Sequence, residues 1–270
     1  MLAQAVPSTG FQSTITSFDR VYLSPHLDDV VLSCGGSIWQ QAHAGERVLV
    51  VTVFAGTPDP HDPLTPFAEE LHARWGHPAD AVTVRQQEDV AAVSLLGAKA
   101  LHWPYTDCIY RRTPAGQFLY PDEKALWGKV HPAEQDLVAK LAARLAALLQ
   151  GRGSFVYAPL GAGHHVDHQI VRLAAEASGH TLAYYEDFPY AENPQAVQAA
   201  FERGCGQAEL TLLSEEALQA KIAAIACYGS QLSTFWADET EMAASVRAFA
   251  ERTGGRLPAE RTWRLSTEMY

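Results

Sequence analysis

The chain has 270 residues, 47% hydrophobic and 19% charged, a balance that can bury a substantial core and excludes a disordered chain. Twenty basic against 31 acidic side chains leave a formal net charge of −11, which disfavours nucleic acid and anionic membranes as partners. The longest basic run is Arg111-Arg112. Cys34, Cys108, Cys205 and Cys227 are widely spaced with no CxxC pair, which excludes a disulfide scaffold and a Cys-rich zinc site and fits isolated thiols in a reducing compartment. The first 18 residues lack a basic n-region and an apolar h-region, and no apolar run approaches the ~20 residues that cross a bilayer. A cytoplasmic protein with no membrane span is expected.

Along the chain, short β-rich runs alternate with longer helical patterns, which predicts an α/β fold with a Rossmann-like, mostly parallel sheet flanked by helices. Arg20–Ser24 reads as the first strand, with a turn at Pro25 and a helix from Asp29 to about His43 that Gly45 stops. The continuous apolar run Val48–Phe54 suits a strand covered on both faces. A helix over Ala79–Leu96 ends at Gly97 and precedes a short strand near Ala100–Trp103. From Pro104 to Pro132 the chain has no sustained period, and a loop this long in a compact domain tends to line a binding site. Leu137, Leu141, Leu145, Leu148 and Leu149 then mark a helix, Ser154–Tyr157 a strand, and Gly161-Ala162-Gly163 a flexible turn. A helix from about Asp167, a strand at Leu182–Tyr185, and helices at Ser214–Ala226 and about Thr240–Arg252 follow. With no repeat and no linker-like break, residues 1–270 are expected to form one domain, the loop at about 104–132 flanking its active site.

Ligands of open α/β sheets bind beyond the carboxyl ends of the strands. Two such places are crowded with metal-type ligands: Ser24-Pro25-His26-Leu27-Asp28-Asp29 and Gly163-His164-His165-Val166-Asp167-His168. Imidazole and carboxylate suit Zn2+, which as a catalytic ion needs about three protein ligands and an open position. His26 and Asp29 are three apart and share a side if the turn is helical; His168 would complete a His₂Asp set and leave Asp28 free as general base. The bland alternative for the first cluster is an Asp N-cap beside a satisfied histidine. His164 reads as a loop residue, and His43, His61, His72, His77, His102, His131 and His180 as ordinary surface or core residues.

Several segments together resemble the PIG-L (LmbE-like) N-deacetylases. The run PHLDDVVLSCGG is similar to that family's first motif, and His165 to His168 (HVDH) to its second. Arg85-Gln86-Gln87-Glu88 resembles its Arg-x-x-Glu helix, Asp107 falls where members place a substrate-contacting Asp, and Tyr228-Gly229-Ser230-Gln231 is similar to its His-x-Ser-Gln. Leu27, Val30 and Tyr228 depart from the usual Pro, Glu and His; Leu27 matches a subgroup that includes deacetylases of glycopeptide antibiotic precursors. The resemblance implies a Zn2+-dependent hydrolase that removes an N-acetyl or related acyl group from an amino sugar, an N-acetylglucosamine conjugate. It implies His26, Asp29 and His168 as metal ligands and Asp28 as the base toward metal-activated water. It further implies oxyanion stabilisation by the imidazolium of His165, and substrate contacts from Arg85 and Asp107. Asp167 would hold His165 or support a ligand, and either Asp28 or His165 protonates the leaving amine.

Tyr184–Tyr190 joins aromatics and two acids after a strand, and with Trp103, Tyr105 and Trp127 it is a candidate sugar-binding wall. A metal-dependent hydratase or lyase and a non-catalytic sugar-binding module are the competing readings. A dinucleotide-binding enzyme is disfavoured, because Gly35-Gly36 does not make G-x-G-x-x-G and the first turn carries His and Asp.

Overall fold

The computed structural model describes residues 17–76, 80–151, 153–201 and 206–265. The N-terminal stretch, His77, the expected helix start at Ala79 and Cys205 lie outside the described residues. In chain order the elements are β1 (Arg20–Ser24), α1 (Asp29–His43), β2 (Val48–Thr52), α2 (Pro66–Arg74), α3 (Ala81–Leu95) and β3 (Lys99–His102). They continue with α4 (Glu123–Leu126), α5 (Gln135–Leu149), β4 (Phe155–Pro159), α6 (Val166–Ala177), β5 (Leu182–Tyr185) and α7 (Pro194–Ala199). The last are β6 (Gly206–Leu212), α8 (Glu215–Ile225), α9 (Gly229–Phe235), α10 (Glu239–Gly254) and β7 (Ala259–Leu265). The strands form one seven-stranded sheet in the order β3-β2-β1-β4-β5-β7-β6, parallel except at β7, which runs antiparallel to both neighbours.

Burial on both faces explains the unbroken apolar runs of β1 and β2. Tyr22, Val48 and Val50 point into one core, with α1, α3, α8 and α10; Val21, Leu23, Leu49 and Val51 point into the other, with α5 and α6. The direction of chain progression reverses at β1, which pairs with β2 on one side and β4 on the other. The crevice beyond the ends of β1 and β4 is therefore the switch point where open α/β sheets bind ligands.

Three expectations shift. The helix α2 was not anticipated, although Thr65 accepts from Ala68 N–H and Pro66 occupies the first turn, a recognisable helix start. The sheet also ends in β6 and β7, whose half-exposed residues lack the apolar run that marks the inner strands. The segment 104–132 is irregular yet packed: Cys108, Ile109, Tyr110, Leu119, Tyr120 and Leu126 form a third core with Leu27, Trp75, Val82 and Val166.

Gly35-Gly36 serves packing of α1. A Cβ on Gly36 would lie 2.7 Å from Leu213, and one on Gly35 3.0 Å from the Lys221 stem. Lys221 Nζ reaches Glu260 Oε1 at 2.8 Å and donates to Ser33 O at 3.1 Å, while Glu260 accepts from Gly36 N–H and Ser37 N–H. This buried ion pair ties α1, α8 and β7 together. Lys221→Met should therefore cost about 3–5 kcal/mol, because it leaves a buried carboxylate without its cation. Urea unfolding measures this, and an unchanged midpoint would contradict it.

Candidate metal centre

The turn after β1 is fixed by its own polar groups. Ser24 Oγ donates to His26 O at 2.7 Å and accepts from Val30 N–H at 3.1 Å, so one hydroxyl spans from strand to helix. Asp29, at the start of α1, accepts from His26 N–H at 2.8 Å with Oδ2, and the same oxygen lies 3.1 Å from His26 Nδ1. From the end of β4, the Gly161–Gly163 turn delivers His165 and the first residues of α6. Gly163 has φ +87°, and a Cβ there would press on Tyr190 at 3.1 Å, so only glycine suits the position.

His168 Nε2 lies 3.3 Å from Asp29 Oδ2. One carboxylate oxygen and two ring nitrogens thus converge from the two strand ends. Donor atoms bound at about 2.0–2.1 Å to a tetrahedral zinc ion lie roughly 3.3 Å apart, and the two separations to Asp29 Oδ2 agree with that spacing. His168 Nε2 is buried and has no hydrogen-bond partner, an orphaned ring nitrogen that costs free energy unless an ion takes it. Ring nitrogens of His26, His165 and His168 lie within 4.8 Å of one another, so His165 lines the same hollow.

Each candidate ligand is held from behind. Asp187 Oδ1 meets His168 Nδ1 at 2.7 Å, while its Oδ2 accepts from Gly161 N–H and Ala162 N–H at 2.7 and 2.9 Å. Asp167 Oδ2 meets His26 Nε2 at 3.0 Å and accepts from Cys108 N–H at 3.0 Å. Hydrogen bonds of this kind set which ring nitrogen is left for a metal. The Asp167 carboxylate serves His26 and not His165; it is the Asp167 backbone N–H that donates to His165 Nδ1, at 3.2 Å.

The electrostatics call for a cation. Burial alone would disfavour a charged imidazole, yet Asp107, Asp29 and Asp167 push His26 well above its ordinary value. Asp29 and Asp187 likewise overcome burial at His168 and push it up to about 10. Burial would raise Asp29, but His168 and His26 hold it well below the carboxylate range. Asp28 behaves oppositely: burial, and then Asp29 beside it, push it up to about 7, with Arg85 opposing. His165 is held well below its ordinary value by burial and by His26 and His168. Burial and these two neighbours thus disfavour an imidazolium at His165.

The remaining candidates fall around this hollow. Arg85 packs its guanidinium over Trp75 at 4.7 Å, with Nη2 3.7 Å from Asp28 Oδ2, and its Nε is buried without a partner. Asp107 Oδ1 caps a short 3-10 turn by accepting from Ile109 N–H at 3.2 Å, and its Oδ2 is 3.7 Å from His26 Nε2. Glu88 does not face Arg85's target; it accepts from Ser230 N–H and Oγ at the start of α9. Tyr228 donates to buried Asp89 at 2.7 Å. Trp127 stands edge-on to His165 at 5.2 Å and to Tyr190 at 5.3 Å, and is 39% exposed, so it faces the opening. Trp103 does not join that wall: it is buried against Leu141 and Leu145 on the α5–α6 side, under Arg144. Sequence reasoning missed the tasks of Asp187 and Arg111. Asp187 had a signal, an acid just past β5, the strand beside β4; Arg111 had none beyond being half of a dibasic pair.

The PIG-L family, described as GlcNAc-PI de-N-acetylase, matches residues 21–178. A 2'-N-acetylparomamine deacetylase from Streptomyces fradiae is 31% identical over 250 residues, covering 86% of this chain and 80% of that one. Its namesake from Niallia circulans is 27% identical over 240 residues, 82% and 83% of the two chains. Among solved structures, the zinc-inhibited form of the teicoplanin deacetylase Orf2 superposes with TM-score 0.79 at 30% identity, covering 92% of this chain and 99% of that one. The A40926 pseudoaglycone deacetylase Dbv21 superposes with TM-score 0.73 at 30% identity, covering 94% and 100%.

Asp187→Ala should lower stability by about 1–3 kcal/mol, since the buried Gly161 and Ala162 N–H groups lose their acceptor. Chemical denaturation checks this; a change below about 0.5 kcal/mol would mean that water replaces the carboxylate.

Proposed function

The chain belongs to the PIG-L family of N-deacetylases, and from that premise we propose that it is a zinc-dependent hydrolase removing an acetyl group from a small-molecule amino-sugar conjugate. The observation that carries this reading is the convergence of His26 Nδ1 and His168 Nε2 on Asp29 Oδ2, with His168 Nε2 orphaned. His26, Asp29 and His168 would hold the ion. When bound, zinc polarises the acetamide carbonyl and lowers the pKa of water towards about 7.

The protein's own groups supply the proton traffic. Asp28, raised to about 7 and free of the ligand set, takes a proton from the attacking water as its oxygen bonds to the acetyl carbon. His165 is neutral and accepts at Nδ1, which leaves Nε2–H to donate to the oxyanion, worth about 3 kcal/mol for a well-placed donor. Its neutrality favours Asp28 as the group that returns the proton to the amine nitrogen as the C–N bond breaks, giving acetate and a free amino sugar. Arg85 and Asp107 would bind sugar hydroxyls at the rim, and Trp127 with Tyr190 would cover an apolar sugar face. An amino-sugar substrate is supported by the relatives, a 2'-N-acetylparomamine deacetylase and a teicoplanin deacetylase. The unpaired thiols of Cys34, Cys108 and Cys227 support a cytoplasmic setting. No helix among the described residues is long and apolar enough to cross a membrane.

The test is acetate release from a panel of N-acetylglucosaminides. Zinc-loaded protein should release acetate, chelated protein should not, and Asp28→Asn should keep its zinc while losing about 10²–10⁴ in kcat. No acetate from any glycoside would turn the assignment towards a hydratase, and full activity in Asp28→Asn would remove Asp28 as the base. Separately, Trp127→Ala should raise KM for glycosides by about tenfold, the loss of one aromatic contact of roughly 1.4 kcal/mol. An unchanged KM would take Trp127 out of the binding wall.

A further inference from the structure

Arg111 reaches the metal centre without touching it. It belongs to the 104–132 segment, and its side chain is 9% exposed. Nη2 donates to Asp167 Oδ1 at 2.5 Å, Nε donates to Glu134 Oε2 at 2.8 Å, and Nη1 donates to Thr106 O at 3.1 Å. The guanidinium plane also packs over Phe54 at 4.7 Å and Tyr120 at 5.6 Å. Arg111 is therefore held in one place by three acceptors and two rings, a geometry that a flexible lysine cannot reproduce.

What Arg111 holds matters for His26. Asp167 has one oxygen on Arg111 and the other shared between Cys108 N–H and His26 Nε2. A carboxylate gripped by a permanent cation only accepts, so the imidazole must present Nε2–H to it. The His26 lone pair is then confined to Nδ1, the nitrogen 3.1 Å from Asp29 Oδ2. Glu134, just past the far end of the irregular segment and 4% exposed, takes the rest of the guanidinium and ties the segment to the start of α5. Without Arg111, Asp167 and Glu134 would be two buried acids lacking a cation.

We propose that Arg111 is a positioning residue: it anchors Asp167 so that His26 offers Nδ1 to the metal. This rests on His26 being a zinc ligand. The test compares the zinc-loaded wild type with Arg111→Met and Glu134→Gln. Zinc affinity is read by competition with a chromophoric chelator, and the His26 ring by nitrogen NMR of histidine-labelled protein. Arg111→Met should bind zinc about 10–100-fold more weakly, as expected when support behind a ligand is lost, and its His26 Nε2–H should exchange faster. Glu134→Gln, which leaves the Asp167 contact in place, should stay within about threefold of wild type on the same scale. If Arg111→Met does not fold, Arg111→Lys carries the test, with a smaller loss of affinity and the same faster exchange at Nε2. Wild-type affinity and an unaltered His26 in the Arg111 variant would overturn the proposal, even if stability falls. Equal losses in the Arg111 and Glu134 variants would also overturn it, because packing of the segment would then be the whole effect. A wild type that binds no zinc would instead remove the ligand assignment beneath it.

Discussion

Asp29 Oδ2 is the point on which the site depends. It lies 3.1 Å from one imidazole nitrogen and 3.3 Å from another, and the imidazoles come from strand ends far apart in sequence. Only the pairing of β1 with β4 brings them together, and that pairing holds because both strands are buried on both faces. His26 and Asp29 sit on a turn locked by Ser24, and His168 sits on α6, so a locked turn and a helix carry all three ligand atoms. The ends of two rigid central strands are where ligand geometry can be kept to about half an ångström.

The same convergence creates an electrostatic demand. Asp29, Asp107, Asp167 and Asp187 surround two histidines in a buried pocket, and both histidines are driven towards the charged form. A divalent ion answers that demand better than two imidazolium groups would, because it can be shared among several ligands at once. Asp28 escapes it. Buried and next to Asp29, with Arg85 and His26 opposing only in part, it is pushed up to about 7, which is where a group that both takes and returns a proton is most effective. Adjacent aspartates in one turn thus have opposite proton affinities, decided by what faces each of them.

Much of this was legible in the residues. The first strand, its helix and β5 have the bounds read from the sequence, because apolar runs, Gly45 and the turn residues are local signals. The two His/Asp clusters could be placed at strand ends for the same reason. Other parts depend on pairings that leave no local trace. Arg111 looks like surface charge until Asp167, 56 positions on, is seen beside it. Asp187 looked like part of a sugar-binding wall and instead supports His168. Trp103 has the composition of such a wall but packs against α5, since a tryptophan next to a strand can turn to either face of the sheet. β6 and β7 were missed because edge and antiparallel strands alternate between wet and dry faces and carry no continuous apolar run.

X-ray absorption at the zinc edge tests the central claim most directly, because it reads the donor atoms themselves. The expected spectrum has two imidazole ligands with nitrogen and oxygen donors at about 2.0–2.1 Å and no sulfur. A sulfur shell at about 2.3 Å, placing the ion on Cys108, or the absence of imidazole scattering would contradict it.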